Sequence, residues 1–134
     1  MILSISQHIY TVLSGNADVA QVTGGRIFPL GTKQDSTYPF ITYTRDDAEP
    51  VYTKDGMATV SSSCSVMCVA GTHRAALDLA EQVAAALDGV TADYAGFSVI
   101  RGLVTGADES YIADAFVQTV RYRYTIISNN SENG

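Results

Sequence analysis

The stretch "TGGRIFPLGTKQDSTYPFITYTR", residues 23–45, holds two glycines, an arginine and a proline ahead of a run that reads as strand. It is either a phosphate cradle or a sharp entry into a sheet. A cradle needs glycines spaced as GxGxxG or GxxxxGK[ST], with a helix starting directly after them to meet the anion. Here Gly24 and Gly25 lead into Arg26-Ile27-Phe28, an extended run that Pro29 breaks. The pair therefore reads as a supply of positive φ for a turn between helix and strand. After a polar loop over 29–37, Tyr38-Pro39 opens a second strand, FITYTR, and Pro39 is tolerable at a strand's first position.

Upstream, residues 5–14 place Ile5, Ile9, Val12 and Leu13 on one helical face. Ser4 and Gln7 have capping-box spacing, and Gly15 stands where helices stop. Asn16 is positioned to cap a short second turn, ADVAQV, with Asp18 set against the helix dipole. Downstream, residues 46–57 (DDAEPVYTKDGM) read as a polar turn region, with Pro50 a break and Asp55-Gly56 a hairpin signal. Residues 57–69 alternate, with Val60, Cys64, Val66 and Cys68 on one side and mainly Thr and Ser on the other. Thr72 is the expected cap of a long helix, HRAALDLAEQVAAALDG, in which Ala76, Leu79, Ala80, Val83 and Leu87 share one face and Gly89 is the stop. Strands are expected over 96–106 and 115–127. In the second, Phe116, Gln118, Val120, Tyr122, Tyr124 and Ile126 alternate with Thr119, Arg121, Arg123 and Thr125.

This order predicts an α+β fold: a largely antiparallel sheet of four to five strands with two main helices packed on one face. One domain is expected over 1–127, followed by a flexible C-terminal tail over 128–134 that lacks an apolar anchor. The free sheet face is expected to carry Thr, Ser, Arg and Tyr.

Composition narrows the function. The chain has 134 residues, 46% hydrophobic and 16% charged, with 14 acids against 8 bases and a formal net charge of -6. A nucleic-acid clamp needs clustered Lys and Arg, which this balance does not supply. No run approaches the ~18 consecutive apolar residues of a membrane span. The N-terminus MILSISQHIY has no basic region or cleavage site, so synthesis and retention in the cytosol are expected until assembly. Cys64 and Cys68 lie about 13 Å apart along one strand, too far to bridge each other, and are read as small buried side chains.

Candidates for chemistry are few. His73, Asp78 and several serines allow a Ser-His-Asp set on paper, but no GxSxG elbow supports it. Asp46, Asp47 and Glu49 crowd together without a calcium-loop pattern and read as a solvated loop. Asp108 and Glu109 beside Gly106 read as hairpin-loop acids. No catalytic residue, metal ligand or cofactor site is predicted. The aromatic content says more: Tyr122 and Tyr124 are either core or contact residues, while Arg121 and Arg123 form a stripe suited to a subunit contact. Asp46, Asp47 and Glu49 are the acidic contact candidates.

The order of these pieces carries a resemblance. An N-terminal helix, then "GGRIFP", a polar gap, "YPFITYT", a long strand, "HRAALDLAEQVAAALDG" and two closing strands resemble the tail-completion, or tail-terminator, proteins of long-tailed bacteriophages and prophages. The likeness spans roughly residues 3–127. It implies a structural virion protein, assembled in the host bacterial cytoplasm, that forms a ring, commonly of six, on the head-proximal end of the tail tube. Such a ring ends tube polymerisation and presents a surface for head joining. The partners implied are further copies of the chain, the tail-tube protein and a head-side connector or stopper, with DNA only as passing cargo and no membrane. The resemblance makes Gly24, Gly25, Arg26, Ile27, Phe28, Tyr38, Pro39 and Phe40 fold-defining, and brings no catalytic residue or cofactor. The alternatives are another head–tail adaptor of stopper type, and a small ligand-binding or hydrolytic α+β domain.

Overall fold

The computed structural model describes residues 1–30 and 37–129. Its elements are α1 (Ile5–Gly15), α2 (Ala17–Thr23), β1 (Ile27–Pro29), β2 (Phe40–Thr53), β3 (Gly56–Ala70), α3 (His73–Leu87), β4 (Ala92–Tyr94), β5 (Phe97–Ile112) and β6 (Ala115–Ser128). The strands form a six-stranded sheet in the order β1-β2-β3-β6-β5-β4. Two long hairpins, β2–β3 and β5–β6, are joined side by side through antiparallel β3 and β6, from Thr59↔Ile127 to Ala70↔Phe116.

The helices begin largely where the sequence places them. Asn16 Oδ1 accepts from Val19 N at 3.1 Å, and Thr72 Oγ1 accepts from Ala75 N at 3.1 Å. The expected Ser4–Gln7 capping box does not form. Ser4 already has helical φ and ψ, its N–H is taken by the Met1 carbonyl, and its side chain caps nothing. α2 closes on Gly24 at φ 61°, and Gly25 follows at φ 82°, so the glycine pair turns the backbone as its sequence requires.

One hydrophobic core lies between the helices and the sheet. Ile5, Ile9 and Leu13 of α1, Val19 of α2, and Leu79, Val83 and Leu87 of α3 pack on Ile41, Val60, Cys64, Val66, Cys68, Phe97, Val99, Val120, Tyr122, Tyr124 and Ile126. Tyr122 and Tyr124 are therefore core residues, stacked with ring centroids 5.8 Å apart, and are absent from the free face where tyrosine was expected. Gly102 makes room for them: a Cβ there would come 2.7 Å from the Tyr124 ring, so only a glycine lets β5 cross that ring. Both cysteines are buried and free, and burial pushes each thiol up to about 12.

Three expectations are corrected, and one pairing is parallel within the largely antiparallel sheet. The sheet has six strands, because β4 adds a three-residue edge. β1 pairs parallel to β2, through Ile27↔Ile41 to Pro29↔Tyr43. Residues 46–53 are strand, not turn: β2 runs through Pro50, which lies beyond the reach of β1 on a sheet edge, where proline is tolerated. The Asp55-Gly56 hairpin is where it was expected. β5 also continues past Gly106 to Ile112, and its hairpin turn falls at Ala113-Asp114, both with positive φ. Ser128 closes β6, and Asn129 Nδ2 donates to the Tyr94 carbonyl at 2.8 Å. The rest of the expected tail, residues 130–134, lies outside the described residues, as does most of the expected loop over 29–37.

The GGRIFP and YPF pieces meet in one joint. Arg26 Nε donates to the Pro39 carbonyl at 3.2 Å and Nη2 to the Tyr38 carbonyl at 3.5 Å. The Arg26 carbonyl accepts from Ile41 N at 2.9 Å. Phe40 packs between Phe28, at 6.3 Å, and Tyr38, stacked at 5.9 Å. Substituting Arg26→Ala removes charge-assisted bonds to both carbonyls. It should lower unfolding free energy by about 1.5–3 kcal/mol, read as a lower urea midpoint at unchanged slope.

Candidate functional site

The sheet face opposite the helices is built by alternation. Ser61, Ser63 and Ser65 of β3 stand level with Thr125, Arg123 and Arg121 of β6. On the outer side of β3, Glu49 and Asp47 of β2 stand level with Ser61 and Ser63. Arg123 donates to Ser63 Oγ and pairs with Asp47 at 3.5 Å and Glu49 at 3.4 Å. Arg121 pairs with Asp108 of β5. A β-bulge between Arg45 and Asp47 frees backbone groups there. Asp47 Oδ1 uses one of them, accepting from Ser63 N at 2.9 Å, and Asp46 Oδ2 accepts from Ser65 Oγ at 2.6 Å.

All five predicted contact residues, Arg121, Arg123, Asp46, Asp47 and Glu49, thus lie on one face, but as strand residues: Arg123 holds Asp47 and Glu49, Arg121 pairs with Asp108, and Asp46 bonds Ser65. The acids are not a solvated loop. Exposed ion pairs contribute little to stability. What they do here is cancel charge, so the face presents arginines whose charge is already met. At the end of this face nearest the Ala113-Asp114 turn, Val69, Ala115 and Val117 form a small apolar cluster with Phe40 and Met67.

The histidines take different roles. His8 is fully buried in α1, with Nδ1 2.8 Å from the Tyr94 hydroxyl, its ring edge-on to Tyr124, and Nε2 without a partner. Burial lowers its pKa from 6.5 to about 4. His73, at the start of α3, lies 3.0 Å from Glu109 Oε1, which also accepts from Gln118 Nε2 at 2.8 Å. Gln118 and then His73 hold the Glu109 carboxyl below its ordinary range. With Ser110, Tyr111 and Phe116 these two residues line a depression of about 290 Å³. Asp78 pairs with Arg74 instead, so the Ser-His-Asp set possible on paper is not assembled. Among the described residues no three His, Cys, Asp or Glu side chains come together as metal ligands, and no helix is long and apolar enough to cross a membrane.

Sequence reasoning missed the His73–Glu109–Gln118 group, whose members meet only through the β5–β6 register. It also missed the strand edges. β4 covers β5 only over 97–99, and β1 covers β2 only over 41–43, so long stretches of both strands lie open.

A fold of this kind, an α+β subunit offering a charge-compensated face and two open edges, is the architecture of a protein that works through its surfaces. It is similar to a chain in a solved structure titled "Virion of native gene transfer agent (GTA) particle", with 15% identity, a TM-score of 0.75, and 90% of this chain and 92% of that chain covered. No curated protein matches the chain. The chain belongs to the family of the tail completion protein gp17, whose model matches residues 7–127. It is a structural protein of a phage-type tail.

Two outcomes follow from this geometry. His8 stays neutral in the fold but takes a proton when unfolded below pH 6.5. Its contribution is therefore complete above pH 6.5 and lost as pH falls through about 4. Urea titrations should show about 2 kcal/mol lost from this group between pH 7 and pH 5, and His8→Gln should flatten that dependence. Replacing Asp47→Asn together with Glu49→Gln uncovers Arg123. Stability should change by less than about 1 kcal/mol, read as an almost unmoved urea midpoint.

Proposed function

We propose that this chain forms a six-membered ring on the head-proximal end of the tail tube. There it ends tube polymerisation and presents the surface to which the head-side connector or stopper joins. The observation that carries this reading is the division of the sheet: one face buried under helices, the other left open with Arg121 and Arg123 held by in-chain carboxylates. Such a face suits a bore past which DNA moves as cargo, because phosphates are gripped by unpaired cations and this surface offers few. The net charge of -6 acts in the same direction.

The role is structural, with recognition by shape and register in place of a reacting group. Sheet subunits with unlike edges suit a head-to-tail contact, the kind that closes into a ring when the rotation between copies closes. The family assignment supports a place in the tail, and the similar virion chain supports the fold.

Removing the gene and imaging the lysate tests the role. Overlong tails are expected, since nothing ends tube growth. Tails of normal length beside heads that leak DNA would instead assign the chain to the stopper position.

A further inference from the structure

The two open strand edges are unlike, and each is limited at both ends. On β5, Gly89 N donates to the Gly102 carbonyl at 2.7 Å and Asp88 Oδ1 accepts from Val104 N at 3.1 Å. The turn after α3 therefore closes the edge as far as residue 104. From 105 to 112 the strand is paired only with β6 among the described residues. On β2 the edge opens at Thr44, where β1 ends, and Pro50 interrupts the row of N–H donors. Exposed edges are normally blunted by short length, charged side chains, proline or a bulge. The bulge of β5 falls between Val104 and Gly106; beyond it residues 107–112, Ala-Asp-Glu-Ser-Tyr-Ile, hold neither lysine nor proline, their charged side chains Asp108 and Glu109 are engaged within the chain, and Tyr111 and Ile112 are 60% and 62% exposed.

We propose that Thr44–Glu49 of a second copy adds as an antiparallel strand along residues 105–110 of β5, with Arg45 of that copy seated against Glu109. This rests on the ring reading and assigns its subunit contact.

Direction and length agree, and so does the face of the Arg45–Glu109 pair. Three antiparallel pairings separate β2 from β5, so the two strands run oppositely and a sheet continued across the contact is antiparallel. The window is six residues on each side, fixed at one end by β1 of the incoming copy. At the other end Pro50, which has no N–H to donate, comes opposite Val104, whose N–H is already taken. In that register Arg45 stands opposite Glu109. Both residues are on the helix side of the sheet: Arg45 pairs in register with Cys64 and donates to the Leu3 carbonyl, and Glu109 bonds Gln118. Among the described residues Glu109 is bonded through Oε1, which leaves Oε2 for the incoming guanidinium. Leu30 of the incoming copy, 78% exposed in the single chain, lies at the end of β1 beside Tyr111 and Ile112.

The rows of Arg45 and Glu109 cross β6 at Tyr122 and Gln118, so successive copies are displaced by four residues, roughly 13 Å along the strand. Strand tilt absorbs such a stagger when a sheet closes on itself.

The test uses particles assembled in cells that make the full chain carrying Arg45→Cys and Glu109→Cys. Oxidation should give a ladder of cross-linked multimers on a non-reducing gel, whereas either single cysteine should give none; buried Cys64 and Cys68 leave the background silent. Separately, Arg45→Glu and Glu109→Arg should each lower the yield of joined particles about tenfold while the isolated chain still melts in one cooperative transition, and the double exchange should restore it. Rings seen on tails without a ladder, or a double exchange that fails to restore yield, would overturn this contact while leaving the ring in place. A single copy per tail end, counted from the particles, would overturn the ring and the contact together.

Discussion

The seating of β1 on β2 is the constraint on which the rest of the subunit depends. This parallel pair ties the chain leaving the N-terminal helices to the edge of the sheet. Its register is set by the Arg26 carbonyl accepting from Ile41 N and by the Arg26 guanidinium holding the carbonyls of Tyr38 and Pro39. Parallel neighbours are usually joined by a crossover helix; here the connection is only the segment 30–39, and a side chain does the positioning. Once Ile27 and Ile41 are level, α1 and α2 lie over the same core that α3 covers from the other hairpin, and Ile5, Ile9, Leu13 and Val19 are buried.

What the sequence makes legible follows from what is covered. α3 is plain because its buried positions recur at helical spacing and Thr72 caps it; β6 is plain because one of its faces is core along its length. Residues 46–53 and 105–112 are different. A helix covers little of either face of those segments, so polar residues fall on both sides and no period of two survives. They are strand because backbone pairing with β3 and β6 holds them, and pairing leaves no trace in a hydrophobic pattern. Pro50 and the Asp108-Glu109 pair then look like turn chemistry, although each sits in a ladder.

The candidate surface divides the same way. Alternation alone places Arg121 and Arg123 on one face. Their partners could not be read, because Asp47 and Glu49 lie 76 and 74 residues from Arg123 and only the sheet register brings them level. The likeness of the whole string to tail-completion proteins supplied what pattern could not, and the family match over residues 7–127 agrees with it. His8 shows the converse: it sits beside Ile9 in α1, but the burial that keeps it neutral is completed by Tyr94 and Tyr124, far along the chain.

The union of two hairpins through β3 and β6 also shapes how the chain reaches this state. Each hairpin can zip from its own turn, but neither has a core until strands far apart in sequence find each other, as Val66 and Val120 do. Long-range pairings of this kind slow collapse to a native state, because loop closure is paid in entropy before contacts reward it. During that interval the flanks of β3 and β6 stand bare, the species most prone to clumping. A newly made chain is therefore best kept dilute until its two hairpins have met.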